Sequence, residues 1–162
     1  MAQVDQFYQT VGFHFVVEFA GLGQNDKSID ARFQSVTGLD VQFETETIKE
    51  GGENRFEHVV PSRRKYSNLT LKRGLLSPSS ASEITKWCKH AFDNLFIEII
   101  QPIQPINLVV SLLNEKHEVL MMWEINHAWP VNWKMGELNA ERSEVLLETI
   151  ELQYNYFTFK AP

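Results

Sequence analysis

The sequence predicts a mainly β domain with one flanking α-helix, and three observations carry that expectation. Apolar residues alternate with polar ones through several separate runs. Glycines and prolines bound those runs. Only the stretch that begins near residue 80 repeats its apolar positions at helical spacing.

The first run, 11–19, sets Phe13, Phe15, Val17 and Phe19 on one face and Gly12, His14, Val16 and Glu18 on the other, a strand with one apolar side. Segment 20–32 is rich in Gly, Asn, Asp, Ser and Lys without apolar periodicity, and reads as a surface loop open to partner contact. Alternation resumes at Leu39: Leu39, Val41, Phe43, Thr45 and Thr47 oppose Asp40, Gln42, Glu44 and Glu46. One face should be buried and the other acidic. Gly51 and Gly52 interrupt this strand, 55–60 returns as a second one, and Pro61 is expected to end it. Together they make a hairpin excursion over about 47–66.

Segment 68–73 places Leu69 and Leu71 opposite Thr70 and Lys72, and Gly74 closes the strand. The helix, about 80–93, opens on Ser80-Ala81-Ser82-Glu83, a capping box, and continues with Ile84, Trp87, Cys88, Ala91 and Phe92 on one stripe. Beyond Pro102 and Pro105, 106–113 pairs with 119–127 in a second hairpin across Asn114-Glu115-Lys116-His117-Glu118. Ala128-Trp129-Pro130-Val131-Asn132-Trp133 reads as an aromatic turn around Pro130. The final run, 143–159, is apolar in part on both faces. A helix from Ala140 competes there, but β-branched and aromatic residues favour strand.

A chain of 162 residues supplies one core, so a single domain over 1–162 is expected. With 43% hydrophobic and 22% charged residues and no apolar run of about 18, direct membrane insertion is not expected. The N-terminus has no basic segment followed by an apolar one, which points to assembly in the cytoplasm. The lone Cys88 excludes an internal disulfide and fits a reducing compartment. A net charge of −6 argues against a specific nucleic-acid partner, because phosphate attraction relies on clustered Lys and Arg. Arg63-Arg64-Lys65 and Lys72-Arg73 are read as pairing with acidic groups or solvent.

No constellation for catalysis, cofactor or metal emerges. Cys88 falls on the apolar stripe of the helix and His90 on another face, so they do not form a thiol–imidazole pair. The histidines His14, His58, His90, His117 and His127 stand singly, without ligand spacing. Gly21-Leu22-Gly23 and Gly51-Gly52 lack the flanking residues of nucleotide-binding loops. Glu44 and Glu46 share a strand face, whereas hydrolytic carboxylate pairs converge from different elements. The sequon Asn68-Leu69-Thr70 sits on a strand, where glycosylation is not expected. Trp123, Trp129 and Trp133 suit either a core or a subunit joint.

KYSNLTLKRGL at 65–75 joins an alternating strand to a glycine stop, with Glu50-Gly51-Gly52 and Asn54 upstream and AWPVNW at 128–133 and Leu138-Asn139-Ala140 downstream. In these motifs, spread over about 13–152, the chain resembles the tail-tube proteins of contractile phages and phage-tail-like particles. The resemblance implies two packed antiparallel sheets, a sandwich that joins its neighbours into a barrel, and a structural subunit in place of an enzyme. Homo-hexameric rings would stack into a hollow tube inside a sheath. Sheath, baseplate or spike, and tube-terminating proteins would be partners, and the lumen would take effector cargo.

The same resemblance places ring contacts at Glu50, Gly51, Gly52 and Asn54, with Arg63, Arg64, Lys65, Trp129 and Trp133 as further interface candidates. Gln42, Glu44 and Glu46 are candidates for the lumen wall. Segment 20–32 and the aromatic ending 154–159 depart from the shorter, more polar pattern expected of phage versions, which favours an extracellular or cell-associated injection particle over a virion. The competing readings are a tube initiator or baseplate adaptor, a ligand-binding sandwich, and a virion tail tube.

Overall fold

A computed structural model describes residues 12, 14–22, 29–31, 33–48, 51, 56–75, 83–93, 103–141 and 145–161, with the backbone alone at 29–31. The strands are β1 (Phe15–Phe19), β2 (Ile29–Ala31), β3 (Ser35–Thr37), β4 (Val41–Ile48), β5 (His58–Tyr66), β6 (Leu69–Gly74), β7 (Ile106–Leu113), β8 (Val119–Met135), β9 (Leu147–Gln153) and β10 (Tyr156–Lys160). Among the described residues one helix, α1 (Glu83–Asp93), lies between β6 and β7. All strand pairings are antiparallel. Two sheets share β8: its first half pairs with β7 and β10 and leads through β1 to β2, while its second half pairs with β9 and leads through β6 to β3. Among the described residues, β4 and β5 pair only with each other.

The sharing depends on one corner. His127 adopts a left-handed backbone, φ 59°, and its N–H donates to Asn107 Oδ1 at 2.9 Å. There β8 contributes an extra residue against β7, since Ile106 faces Ala128 but Leu108 faces Ile125. A bulge of this kind bends a strand and re-aims it. Pro130 follows within the strand, buried, at a second register shift against β9. The segment 128–133 is therefore a bent strand and not the aromatic turn expected, because the bulges absorb the hydrogen bond that Pro130 cannot donate.

The core lies between the sheets. Val17, Phe19, Leu69, Leu71, Leu108, Ile125, Ile150 and Leu152 are buried from both, and α1 adds Ile84, Trp87 and Cys88. Each side chain of this size stabilises the fold by about 1.5–3 kcal/mol when fully buried. The helix stripe read from the sequence is this buried face, with Phe92 half-buried beside it. The capping residues Ser80 to Ser82 lie outside the described residues. Trp87 Nε1 ties the helix to the Gln104 carbonyl at 2.9 Å.

Other expectations change. Segment 20–32 contains β2, which pairs with β1 in spite of its loop-like composition. β3, unmarked by any long alternation, is held by β6. β5 runs straight through Pro61, at a bulge where Phe43 faces Arg64 but Thr45 faces Pro61. The final run is strand, as expected, but breaks at Tyr154-Asn155 into β9 and β10, which continue along the same flank of β8. Most consequentially, β4 is exposed along its whole length, so neither face is buried within the subunit.

Candidate assembly surface

Alternation on β4 meets alternation on β5 to give the hairpin two chemically different faces. Val41, Phe43, Thr45 and Thr47 pair with Tyr66, Arg64, Pro61 and Val59 and so share one side. Phe43 is 56% exposed and Val59 58%. Arg64 sets its guanidinium 5.7 Å from the centre of the Phe43 ring. The opposite side carries Gln42, Glu44 and Glu46, with Lys65 across from Gln42 and Val60 across from Glu46. Ser62 Oγ donates to Glu46 Oε1 at 3.1 Å.

The apolar side runs into β10. Val41, Phe43, Arg64, Tyr66, Phe157 and Phe159 line a cleft of about 310 Å³. Tyr66 and Phe157 meet edge to face at 5.3 Å, and Trp123 supports Phe159 from behind at 5.6 Å. Tyr154 closes the inner end, its hydroxyl donating to the Gly38 carbonyl at 3.1 Å. Burial, with Asp40 and Tyr66 nearby, pushes that hydroxyl up to about 12.

Of the residues named from the sequence, the hairpin therefore brings together Gln42, Glu44, Glu46, Gly51, Arg63, Arg64 and Lys65. Glu50, Gly52 and Asn54 lie outside the described residues. Trp129 and Trp133 stand apart, on the second half of β8. Trp133 is engaged inside the subunit: its Nε1 donates to Glu148 Oε1 at 2.7 Å and its ring stacks with Phe92 at 6.4 Å. Sequence reasoning missed Tyr66, Phe157 and Phe159 as parts of a surface. The signal available was that 154–159 is aromatic at four of six positions, more than one buried face can use.

Two carboxylates on the strands beside this surface are paired with lysines. Glu124 on β8 accepts from Lys160 Nζ at 2.6 Å and from Thr158 on β10, and the lysine holds its carboxyl below the usual range. Glu151 on β9 accepts from Lys134 Nζ at 2.9 Å and from Asn132, with the same direction of shift. No group of three His, Cys, Asp or Glu among the described residues could hold a metal ion. Cys88 is buried, and desolvation pushes its thiol up to about 12, far from a nucleophile's range.

Residues 11–158 match the family model of the T4-like virus tail tube protein gp19. The chain belongs to that family. It is a structural inner-tube protein and not an enzyme. A chain in the six-fold symmetrised cryo-EM structure of the anti-feeding prophage baseplate is 30% identical, with a TM-score of 0.84 over 95% of this chain and 97% of that one. A chain in the extended sheath–tube complex of PVC, an extracellular contractile injection system, is 21% identical, with a TM-score of 0.77 over all of both chains. Hcp1 from Flavobacterium johnsoniae shares the fold at 14% identity and a TM-score of 0.57, over 93% of this chain and 97% of that one. No curated protein matches. Two sheets with a flanking helix thus agree with the tail-tube fold that the motifs implied.

Proposed function

We propose that this tail tube protein closes into hexameric rings that stack into a hollow tube within a phage-tail-like injection particle. Sheath, baseplate and terminating proteins are its partners, and effector cargo travels in the lumen. The observation that carries the reading is the β4–β5 hairpin, which leaves Val41, Phe43, Ile48, Phe56, Val59 and Val60 exposed in a single copy. Apolar area of that kind is stabilised by burial against another subunit. The outer edge of β10 also lacks a partner strand among the described residues, which suits pairing between copies. Assembly takes place in the bacterial cytoplasm, and the particle ends outside or attached to the cell.

Within this reading Glu50, Gly51, Gly52 and Asn54, with Arg63, Arg64 and Lys65, contact the adjacent subunit or ring, Trp129 and Trp133 back a subunit joint, and Gln42, Glu44 and Glu46 face the lumen. The test uses the purified full chain in negative-stain microscopy and native mass spectrometry. Six-membered rings and tubes are expected; a stable monomer through the micromolar range, even with baseplate components present, would overturn the proposal. A cysteine placed at Glu44 in a Cys88→Ser background should resist a bulky maleimide in tubes and react in dissociated subunits. Equal labelling in both states removes Glu44 from the lumen.

A second reading is favoured by one difference among the relatives. The 30% identical chain belongs to a baseplate structure and the 21% identical chain to a sheath–tube complex. A subunit of the first ring, seated on the baseplate, fits that order. Such a chain forms rings but does not elongate alone, whereas a main-tube subunit gives tubes of many rings from one component.

A further inference from the structure

The cleft between the hairpin and β10 has a counterpart at the other end of β8. Beyond Met135 the chain makes a loop whose base is closed by Gly136 N–H donating to the Leu147 carbonyl at 2.7 Å. A Cβ at Gly136 would sit 3.2 Å from that carbonyl oxygen, a tight contact that the loop base would have to shift slightly to admit. Asn139 Oδ1 accepts from the Glu141 N–H at 2.9 Å, which fixes the tip. Leu138 stands on this tip 83% exposed, the largest exposure among the big apolar side chains described. Glu137 and Glu141 flank it, both exposed and without an ion pair among the described residues.

The two features are complementary in shape and charge. The cleft is aromatic and aliphatic, and its one charged wall residue is the Arg64 cation, which has no carboxylate partner among the described residues. The loop is a leucine between anions. They lie toward opposite ends of one strand, since Phe159 faces Trp123 near the start of β8 and the loop follows Met135 at its end. A knob and a hole at opposite ends of one chain make a head-to-tail contact between copies, the type that closes rings or builds filaments.

We infer that Leu138 of one copy inserts into the Val41, Phe43, Tyr66, Phe157 and Phe159 cleft of a second copy, with Glu137 or Glu141 meeting Arg64 at the rim. The occupant is a second copy of this chain. The inference rests on the self-assembly reading above and adds to it the pair of surfaces that meet.

The test measures the concentration at which half of the full-length chain is assembled, by mass photometry and sedimentation. Leu138→Asp and Arg64→Glu should each raise that concentration roughly tenfold or more, by loss of a buried anchor and of a desolvated ion pair. Thermal unfolding of the monomer should be unchanged, since both side chains are exposed. Glu137→Arg and Glu141→Arg together in the Arg64→Glu chain should recover most of the loss. An unchanged assembly concentration in Leu138→Asp, or no recovery in the swapped chain, overturns the inference while leaving the tube reading intact. A wild-type chain that never assembles overturns both.

Discussion

Arg73 on β6 and Glu148 on β9 form a buried ion pair, Nε to Oε2 at 2.5 Å, with side chains only 5% and 0% exposed. Each charge has further partners: Arg73 Nη2 donates to Thr85 Oγ1 on α1 at 2.7 Å, and Glu148 accepts from Trp133 Nε1. The pair joins the helix to the second sheet through one network. Removing a single partner strands a charge in the core. Glu148→Ala should therefore cost about 3–5 kcal/mol in urea unfolding, whereas the paired replacement Arg73→Met with Glu148→Leu should cost much less. Equal losses in the single and double variants would show that the pair contributes through shape and not through charge.

Alkaline pH should loosen the fold through Cys88. Its thiol, pushed up to about 12 by burial and by Glu148, binds a proton more tightly folded than unfolded. That contribution is full below the unfolded value of about 8.5 and falls as pH climbs toward 12, by up to roughly 1.4 kcal/mol per pH unit. Tyr154, raised in the same direction, adds to the decline at the upper end. Cys88→Ala should flatten the stability curve between pH 9 and 10. At pH 8 the native thiol should react with an aromatic disulfide reagent only as fast as the protein opens.

Gly38 should tolerate no side chain. Its φ is 95°, and a Cβ would lie 2.0 Å from the Asn68 carbonyl oxygen. Gly38→Ala combines backbone strain with a clash against main chain, for an expected loss of roughly 2–4 kcal/mol. The melting temperature of the purified variant checks this.

At the β8 corner the expected signs are opposite for two neighbours. His127→Gly relieves left-handed strain and should raise stability by about 1 kcal/mol. Asn107→Ala removes the acceptor for the His127 N–H and should lower it by a similar amount. Chemical denaturation of both variants decides the matter.

Much of the fold was legible in the sequence because alternation and helix spacing report burial directly. The strand at 68–73, the hairpin from 106 to 127 and the stripe Ile84, Trp87, Cys88, Ala91 all follow one rule, apolar inward. What escaped was structure made by partners at a distance. β2 and β3 are strands because β1 and β6 present edges to them, and three residues are too few to carry a period of their own. Pro61 read as a stop and Pro130 as the centre of a turn because their missing N–H is visible in sequence and the bulge that accommodates it is not. Alternation on β4 was genuine, yet both of its faces are exposed in the subunit, so pattern alone placed a surface in the core. The aromatic cleft was hidden for a related reason: β5 and β10 are nearly a hundred residues apart in a chain of 162.

The shared strand β8 has a mechanical meaning. Two sheets held together by side chains alone can slide or part at the cost of packing. Here seventeen residues of continuous backbone run through both. A load applied to one sheet reaches the other along covalent bonds, and shearing them apart means tearing ladder hydrogen bonds on either flank of the same strand. The domain should therefore yield as a unit, with amide protons in both sheets becoming exchangeable together, and behave under axial stress as a stiff block with no internal hinge.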